Sequence, residues 1–231
     1  MPRRRRVGVR AGTVHHVLNR GNQRALIFAK GHDYNGFVDL LRDAGQRFPV
    51  DLLAFCLMPN HWHLVLRPES DDALPAYMQW ICTTHVRRYH EHAGTAGTGH
   101  VYQGRYKNFI VQTDRHLLAV LRYVEANALR AGLVSRAEDW PWSSLGLWVS
   151  GAADGLLRDW PVPRPADWIA FVNGVPTDVE IRGLRLCAAR GRPYGGDDWS
   201  ARTAVTHGLE VTLKSRGRPR KRDHPRPTYV K

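Results

Sequence analysis

The chain has 231 residues, 43% of them hydrophobic and 24% charged, which suits a soluble globular protein with one proper core and a sizeable extension. Its formal net charge of +13 is unevenly placed: residues 1–10 hold five arginines (Arg3, Arg4, Arg5, Arg6, Arg10) and no acid, residues 214–231 hold eight Lys or Arg against Asp223 alone, and the body between is close to neutral. Three scattered cysteines (Cys56, Cys82, Cys187) argue against a disulfide framework and a cysteine zinc site, no apolar run approaches the ~20 residues of a membrane span, and no apolar segment follows the basic start as in a signal peptide.

In chain order, Thr13–Asn19 reads as a first strand and Gly21-Asn22 as a turn. Asp33–Phe48 reads as a helix, because Phe37, Leu40, Leu41 and Ala44 recur at helical spacing and Pro49 follows. Asp51–Met58 is a short apolar run of strand length. Pro59-Asn60 marks a turn, and His61–Leu66 alternates as the hairpin partner. A second helix covers about Ala73–His92, and the Gly94–Gly99 loop ends it. Val101–Gln112 reads as a strand. Asp114 caps a helix running to about Leu129 and closed by Gly132. Gly151–Pro165 has the Gly and Pro content of a linker. Thr177 to Glu180 forms a capping-box pattern for a helix ending near Arg190, and Asp198–His207 allows another.

The order β-α-β-β-α-β-α predicts an α+β, ferredoxin-like fold: a four-stranded antiparallel sheet with helices on one face and the other face open. A mainly helical, basic C-terminal extension follows. The expected organisation is residues 1–150 as one domain, 151–213 as linker and helical extension, and 214–231 as a basic tail without fixed order.

His61 and His63 stand two apart on a strand, so both imidazoles share one face. Trp62, Leu64 and Leu66 point the other way, toward the helices. Two neutral imidazoles side by side begin a metal site, though ordinary strand histidines satisfy the same spacing. Neither a His-Glu-x-x-His nor a deaminase-type zinc pattern is present. On the last helix Leu117, Leu118, Leu121, Val124 and Ala128 fill one sector, and Tyr123 and Asn127, four apart, fall outside it on a shared face. A surface Tyr beside a surface Asn gives the same pattern. Chemically, a phenol of pKa ~10 needs activation, and a metal acting as Lewis acid on a phosphate provides it. Two imidazoles and an amide oxygen with open positions suit Mg²⁺ or Mn²⁺.

Three stretches together resemble the REP-associated tyrosine transposases of the single-tyrosine HUH endonucleases: Leu57-Met58-Pro59-Asn60-His61-Trp62-His63-Leu64-Val65, Gln103-Gly104-Arg105-Tyr106-Lys107-Asn108, and Tyr123-Val124-Glu125-Ala126-Asn127-Ala128-Leu129-Arg130-Ala131-Gly132-Leu133. The tail from Gly208 to Lys221 is similar to that group as well. The resemblance implies that His61 and His63 are metal ligands with Asn127 as the third, and that Tyr123 is the nucleophile. It implies a single-stranded DNA substrate carrying a palindromic hairpin, cut to a 5′-phosphotyrosine and a free 3′-hydroxyl. Glu125 replaces a His and Ala128 a Pro of the family pattern. These changes are expected to flank the metal and affect metal or hairpin choice, and loss of Pro is expected to let the helix continue.

Arg105 and Lys107 are expected to meet the DNA backbone. Basic arms release counterions on binding polyanions, and eight Trp and eight Tyr offer stacking surface. Gly217-Arg218-Pro219 resembles an AT-hook, so Arg216, Arg218, Arg220 and Lys221 are further candidate DNA contacts. The expected setting is cytoplasmic and nucleoid-associated. The competing readings are a non-catalytic hairpin-binding regulator, which would not need the His61/His63/Tyr123/Asn127 set, and an RNA-binding ferredoxin-like protein, whose aromatic motifs match His-Trp-His poorly.

Overall fold

Residues 8–153, 155–174 and 176–214 are described in the computed structural model. Strand β1 (Val14–Arg20) leads to helix α1 (Gly31–Arg47), strands β2 (Val50–Met58) and β3 (His61–Pro68), helix α2 (Ala73–Ala93), strand β4 (Lys107–Val111) and helix α3 (Arg115–Glu125). The strands lie in the order β2-β3-β1-β4, every pair antiparallel, which is the ferredoxin-like arrangement.

The local signals act as their chemistry requires. Asp114 accepts a hydrogen bond from the His116 amide at 2.8 Å and starts α3, and Gly94 closes α2 in the left-handed region at φ 62°. Val17, Trp62, Leu64 and Leu66 pack with Phe37, Leu40, Leu41 and Ala44 of α1 and with Leu74, Tyr77, Met78 and Ile81 of α2. Each fully buried Leu on this face contributes about 1.5–3 kcal/mol. The Trp62 indole donates to the Tyr102 hydroxyl at 2.9 Å, and that hydroxyl lies 2.6 Å from His85 Nδ1. The residue between the two histidines is thereby pinned to the core.

The second face of the sheet is not open, contrary to expectation. Val14, Ala54, Cys56, Met58, Val65, Phe109 and Val111 pack there with Leu117, Val120, Leu121 and Val124 of α3. The C-terminal extension completes this layer. Helix α4 (Asn127–Arg130) follows α3, then α5 (Ser144–Val149), α6 (Trp168–Asn173), α7 (Asp178–Arg190) and α8 (Asp197–Thr206); Trp168, Val172, Leu184 and Cys187 join the cluster. Thr177 and Glu180 form the expected capping box at the start of α7.

Three further expectations are corrected. The strand read over Val101–Gln112 is only Lys107–Val111, so Arg105 lies in the preceding loop. The helix read from Asp114 to Leu129 is two, broken at Ala126. The linker is no free tether: the Arg158 amide donates to the Leu52 carbonyl and the Trp160 indole to the Leu53 carbonyl, both at 2.9 Å. Together with the Leu57 amide bond to Trp142 O and the Trp140 indole bond to Leu57 O, these contacts cover the β2 edge. Tyr194 covers the opposite edge by bonding Ile110 of β4 and Gln112 just beyond it. Covered edges remove the exposed amides and carbonyls through which sheets aggregate.

Candidate active site

Pairing register decides which side chains meet on the α3 face. Leu18 of β1 stands between His63 on β3 and Lys107 on β4, and Arg20 stands opposite His61. Directly paired residues point to the same side, so His61, His63, Arg20 and Lys107 share one face with His16. The face is buried near its centre: His16 is 1% and His63 3% exposed.

The turn before His61 is held on all sides. The amides of Ile27 and Phe28 both donate to the Pro59 carbonyl, and the Gly21 amide donates to the Asn60 carbonyl at 2.8 Å. Gly21 tolerates no side chain, because a Cβ there would sit 2.2 Å from the Ala25 carbonyl oxygen. Asn60 bonds in two directions: Nδ2 donates to the Arg24 carbonyl at 3.2 Å, and Oδ1 lies 2.7 Å from His61 Nδ1. The amide orientation is set by the carbonyl partner. His61 Nδ1 must then carry the hydrogen, which leaves Nε2 with a lone pair. An imidazole fixed through its other nitrogen in this way is the usual arrangement of a metal ligand.

His63 has a comparable support that was not read from the sequence. Its Nδ1 lies 2.9 Å from His16 Nε2, and the two rings are nearly coplanar, with centroids 5.0 Å apart and planes 5° apart. The remaining nitrogen, His16 Nδ1, is buried with no hydrogen-bond partner among the described residues. Burial holds the His16 pKa down at about 3. Burial, then the nearby Arg20 charge, lowers His61 to about 4. Burial first, then the charges of His16, His61, Arg20 and Arg130, holds His63 well below its ordinary value. All three imidazoles are therefore neutral at neutral pH, the form that ligates cations.

Tyr123 reaches this cluster from α3. Its ring meets His63 edge-on at a centroid distance of 5.7 Å and His16 at 6.1 Å, and the Arg130 guanidinium lies 4.9 Å from its ring centre. Arg130 Nη1 is buried and without a hydrogen-bond partner among the described residues. Asn127 is buried, not exposed. Its Nδ2 donates to the Tyr123 carbonyl at 3.1 Å, bridging the break between α3 and α4, and Oδ1 takes no hydrogen bond among the described residues. The structure thus puts Tyr123, His61 and His63 on one side of the sheet and ties Asn127 to the Tyr123 backbone.

Glu125 does not flank these groups. It is 1% exposed and points into the core, accepting from Ser144 Oγ at 2.6 Å and from the Trp168 indole at 2.7 Å. Burial raises its pKa, and the Ser144 and Trp168 donors and the Arg164 charge only partly oppose this. Arg105 and Lys107 are exposed. Arg216, Arg218, Arg220 and Lys221 lie outside the described residues. His16, Arg20 and Arg130 are the site residues missed as such. Alternation along β1 could have shown that His16 and Arg20 share a face, but not which face of β3 they join.

A family model described as "Transposase IS200 like" matches residues 10–127, just over half of the chain, from the start of the sheet through Tyr123 to Asn127. The chain belongs to the IS200-like transposase family. Among curated relatives of this transposase, a Haemophilus influenzae protein named as a REP-associated tyrosine transposase is 26% identical over 160 residues, covering 65% of this chain and 82% of its own length. The Escherichia coli REP-associated tyrosine transposase is 23% identical over 172 residues, covering 73% and 92%. Among solved structures, a REP-associated tyrosine transposase bound to a REP hairpin is similar with a TM-score of 0.52 at 21% identity, covering 71% of this chain and 93% of that one. That likeness concerns the fold. No helix among the described residues of the transposase is long and apolar enough to cross a membrane.

Proposed function

We propose that this family member cuts and rejoins single-stranded DNA carrying a hairpin, with Tyr123 as nucleophile. The observation that carries the reading is the meeting of the Tyr123 ring with His63, which in turn meets His61 on the same face of the sheet. The names of the curated relatives and the hairpin bound by the structural relative support the class of substrate.

The donor set fits a divalent cation, Mg²⁺ or Mn²⁺. His61 Nε2 is left with a lone pair by the Asn60 bond, and Asn127 Oδ1 is uncommitted. For His63 to ligate through Nε2, its Nδ1 must carry the hydrogen and donate to His16 Nε2. His16 is therefore a positioning residue in this reading. A cation held by His61, His63 and Asn127 supplies Lewis-acid polarisation of the scissile phosphate.

The chain's own groups do the rest. Tyr123 Oη forms a bond to phosphorus, the bond from phosphorus to the 3′ oxygen breaks, and that oxygen leaves as a hydroxyl with the proton the phenol gives up. The 5′-phosphotyrosine conserves the phosphodiester energy, so attack by a DNA hydroxyl reverses the step and joins strands. Arg130, with its buried unpaired Nη1, and Arg20 and Lys107 on the same face hold the phosphate oxygens. Arg105 and the tail residues Arg216, Arg218, Arg220 and Lys221 add backbone contacts, which are screened by salt. Residues 1–150 carry the chemistry, 151–213 the layer that buttresses α3, and 214–231 the basic tail.

Incubation with labelled hairpin single strands and Mn²⁺ or Mg²⁺ tests the proposal. An SDS-stable protein–DNA adduct is expected from the wild type and none from Tyr123→Phe. A wild type that binds hairpins without forming an adduct is a binding protein only, and an adduct surviving in Tyr123→Phe removes Tyr123 as nucleophile.

A further inference from the structure

Beyond the helix-covered sheet, the start of α1 and the last turn of α2 bring three metal-ligating groups to one point. His32 Nε2 lies 2.9 Å from His92 Nε2 and 3.1 Å from Asp33 Oδ1, and one ligand atom from each residue falls within 4.8 Å of the others. The two rings meet edge to face with centroids 4.8 Å apart. The carboxylate is fixed in direction, because Asp33 Oδ2 accepts the Ala29 and Lys30 amides at 2.8 and 2.9 Å. That leaves Oδ1 to face the imidazoles. Partial burial raises the Asp33 pKa, but those two amides and the charges of His32 and His92 more than offset it, so the carboxyl stays below its ordinary value.

Protons alone satisfy this cluster poorly. If His32 Nε2 carries the hydrogen, one N–H faces two acceptors. If His92 Nε2 carries it, the His32 lone pair faces a carboxylate oxygen across 3.1 Å. A single cation at the centre satisfies all three donors at once.

We propose that His32, Asp33 and His92 form a second metal site, of zinc class, separate from the histidines of β3. Two imidazole nitrogens and one carboxylate oxygen suit tetrahedral Zn²⁺ with water in the fourth position. Bonds of about 2.0–2.1 Å put tetrahedral ligands about 3.3 Å apart, a few tenths more than the His32–His92 and His32–Asp33 spacings, and exposed side chains adjust that far at little cost. Two imidazoles beside a carboxylate favour Zn²⁺, Ni²⁺ or Co²⁺. The bound ion clips together two segments 60 positions apart in sequence. One is the start of α1, whose preceding loop grips the Pro59-Asn60 turn. The other is the end of α2, which leads into the loop carrying Arg105. An ion bound only by the native state also stabilises it.

Titration of the full-length protein with Co²⁺ as a coloured probe, followed by Zn²⁺ displacement in excess Mg²⁺, tests the site. The wild type should bind one more equivalent than His92→Ala, with the intense visible bands of four-coordinate Co²⁺, and should gain thermal stability on adding Zn²⁺. His92→Ala and His32→Ala should each weaken that equivalent roughly tenfold or more. Both positions are exposed, so the variants should fold and form the Mg²⁺-supported adduct as the wild type does. The same measurement in a His61→Ala background keeps the two sites apart: the extra equivalent should persist there. Equal stoichiometry in wild type and His92→Ala, or loss of the equivalent in His61→Ala alone, would overturn the assignment.

Discussion

Two imidazoles that look equivalent in the motif differ in how they are held. His61 is fixed by a polar neighbour in its own turn, Asn60, and His63 by a ring from another strand, His16. Removing either support frees an imidazole to rotate or to change tautomer. We expect Asn60→Ala and His16→Ala each to weaken Mn²⁺ binding about 10–100-fold, read by calorimetry. His16→Gln, whose amide oxygen can still accept from His63 Nδ1, should recover most of the loss, and a purely structural role for His16 would show no such rescue. ¹⁵N shifts of His63 report the tautomer directly. The His-x-His spacing was legible because strand alternation is local. His16 was not, because its partnership with His63 exists only through the β1–β3 register.

The junction between α3 and α4 shows why a helical wheel succeeded for some residues and failed for others. Leu117, Leu121 and Val124 are buried as expected, but so are Val120 and Glu125, since helices of the extension close over a flank the wheel left to solvent. The break at Ala126 persists although Ala128 replaces the family's proline. The Tyr123 carbonyl is taken by the Asn127 side chain, and the Ala128 amide donates to no backbone carbonyl among the described residues. No intrahelical bond is therefore lost on restoring the ring: Ala128→Pro should cost less than about 1 kcal/mol in denaturant unfolding, whereas Ala119→Pro inside α3 should cost about 3 kcal/mol or more. Glu125→Ala strands the buried Trp168 indole N–H, leaves the Ser144 hydroxyl only the Phe55 carbonyl to donate to, and should cost roughly 2–4 kcal/mol. Glu125→Gln should cost far less, because its oxygen can take the indole while its amide donates to Ser144. A loss of Mn²⁺ affinity in Glu125→Gln would contradict the structural role given to this residue.

The whole molecule buries several histidines in their neutral form. Burial, then the His207 charge, lowers His15 to about 3. His85 falls to about 4 because burial, with the Arg88 charge, outweighs the opposing pull of Asp33. In the unfolded chain each takes up a proton as pH drops below about 6.5, while in the fold each stays neutral. Their stabilising contribution is therefore complete above that value and lost on acidification toward the folded pKa. Each should add a slope of about 1.4 kcal/mol per pH unit between roughly pH 6 and 4. Denaturant unfolding across that range checks this, and His85→Gln should flatten it by one group's share. At the same scale, residues 215–231 carry seven Lys or Arg. Their removal should lower the salt slope of single-strand binding by at most about 5, without abolishing the adduct.

Local chemistry in the sequence sufficed for the element order, the two caps at Asp114 and Thr177, the inward set Trp62, Leu64 and Leu66, and the shared face of His61 and His63, because periodicity and capping act over only a few residues. Tertiary structure alone decided that the second face is covered, that Glu125 belongs to the core, that both sheet edges are capped, and that His16 and Arg130 meet the Tyr123 ring on the face Arg20 shares. Those outcomes depend on strand register and on an extension folding back over the sheet, and both are set by contacts between residues far apart in the chain.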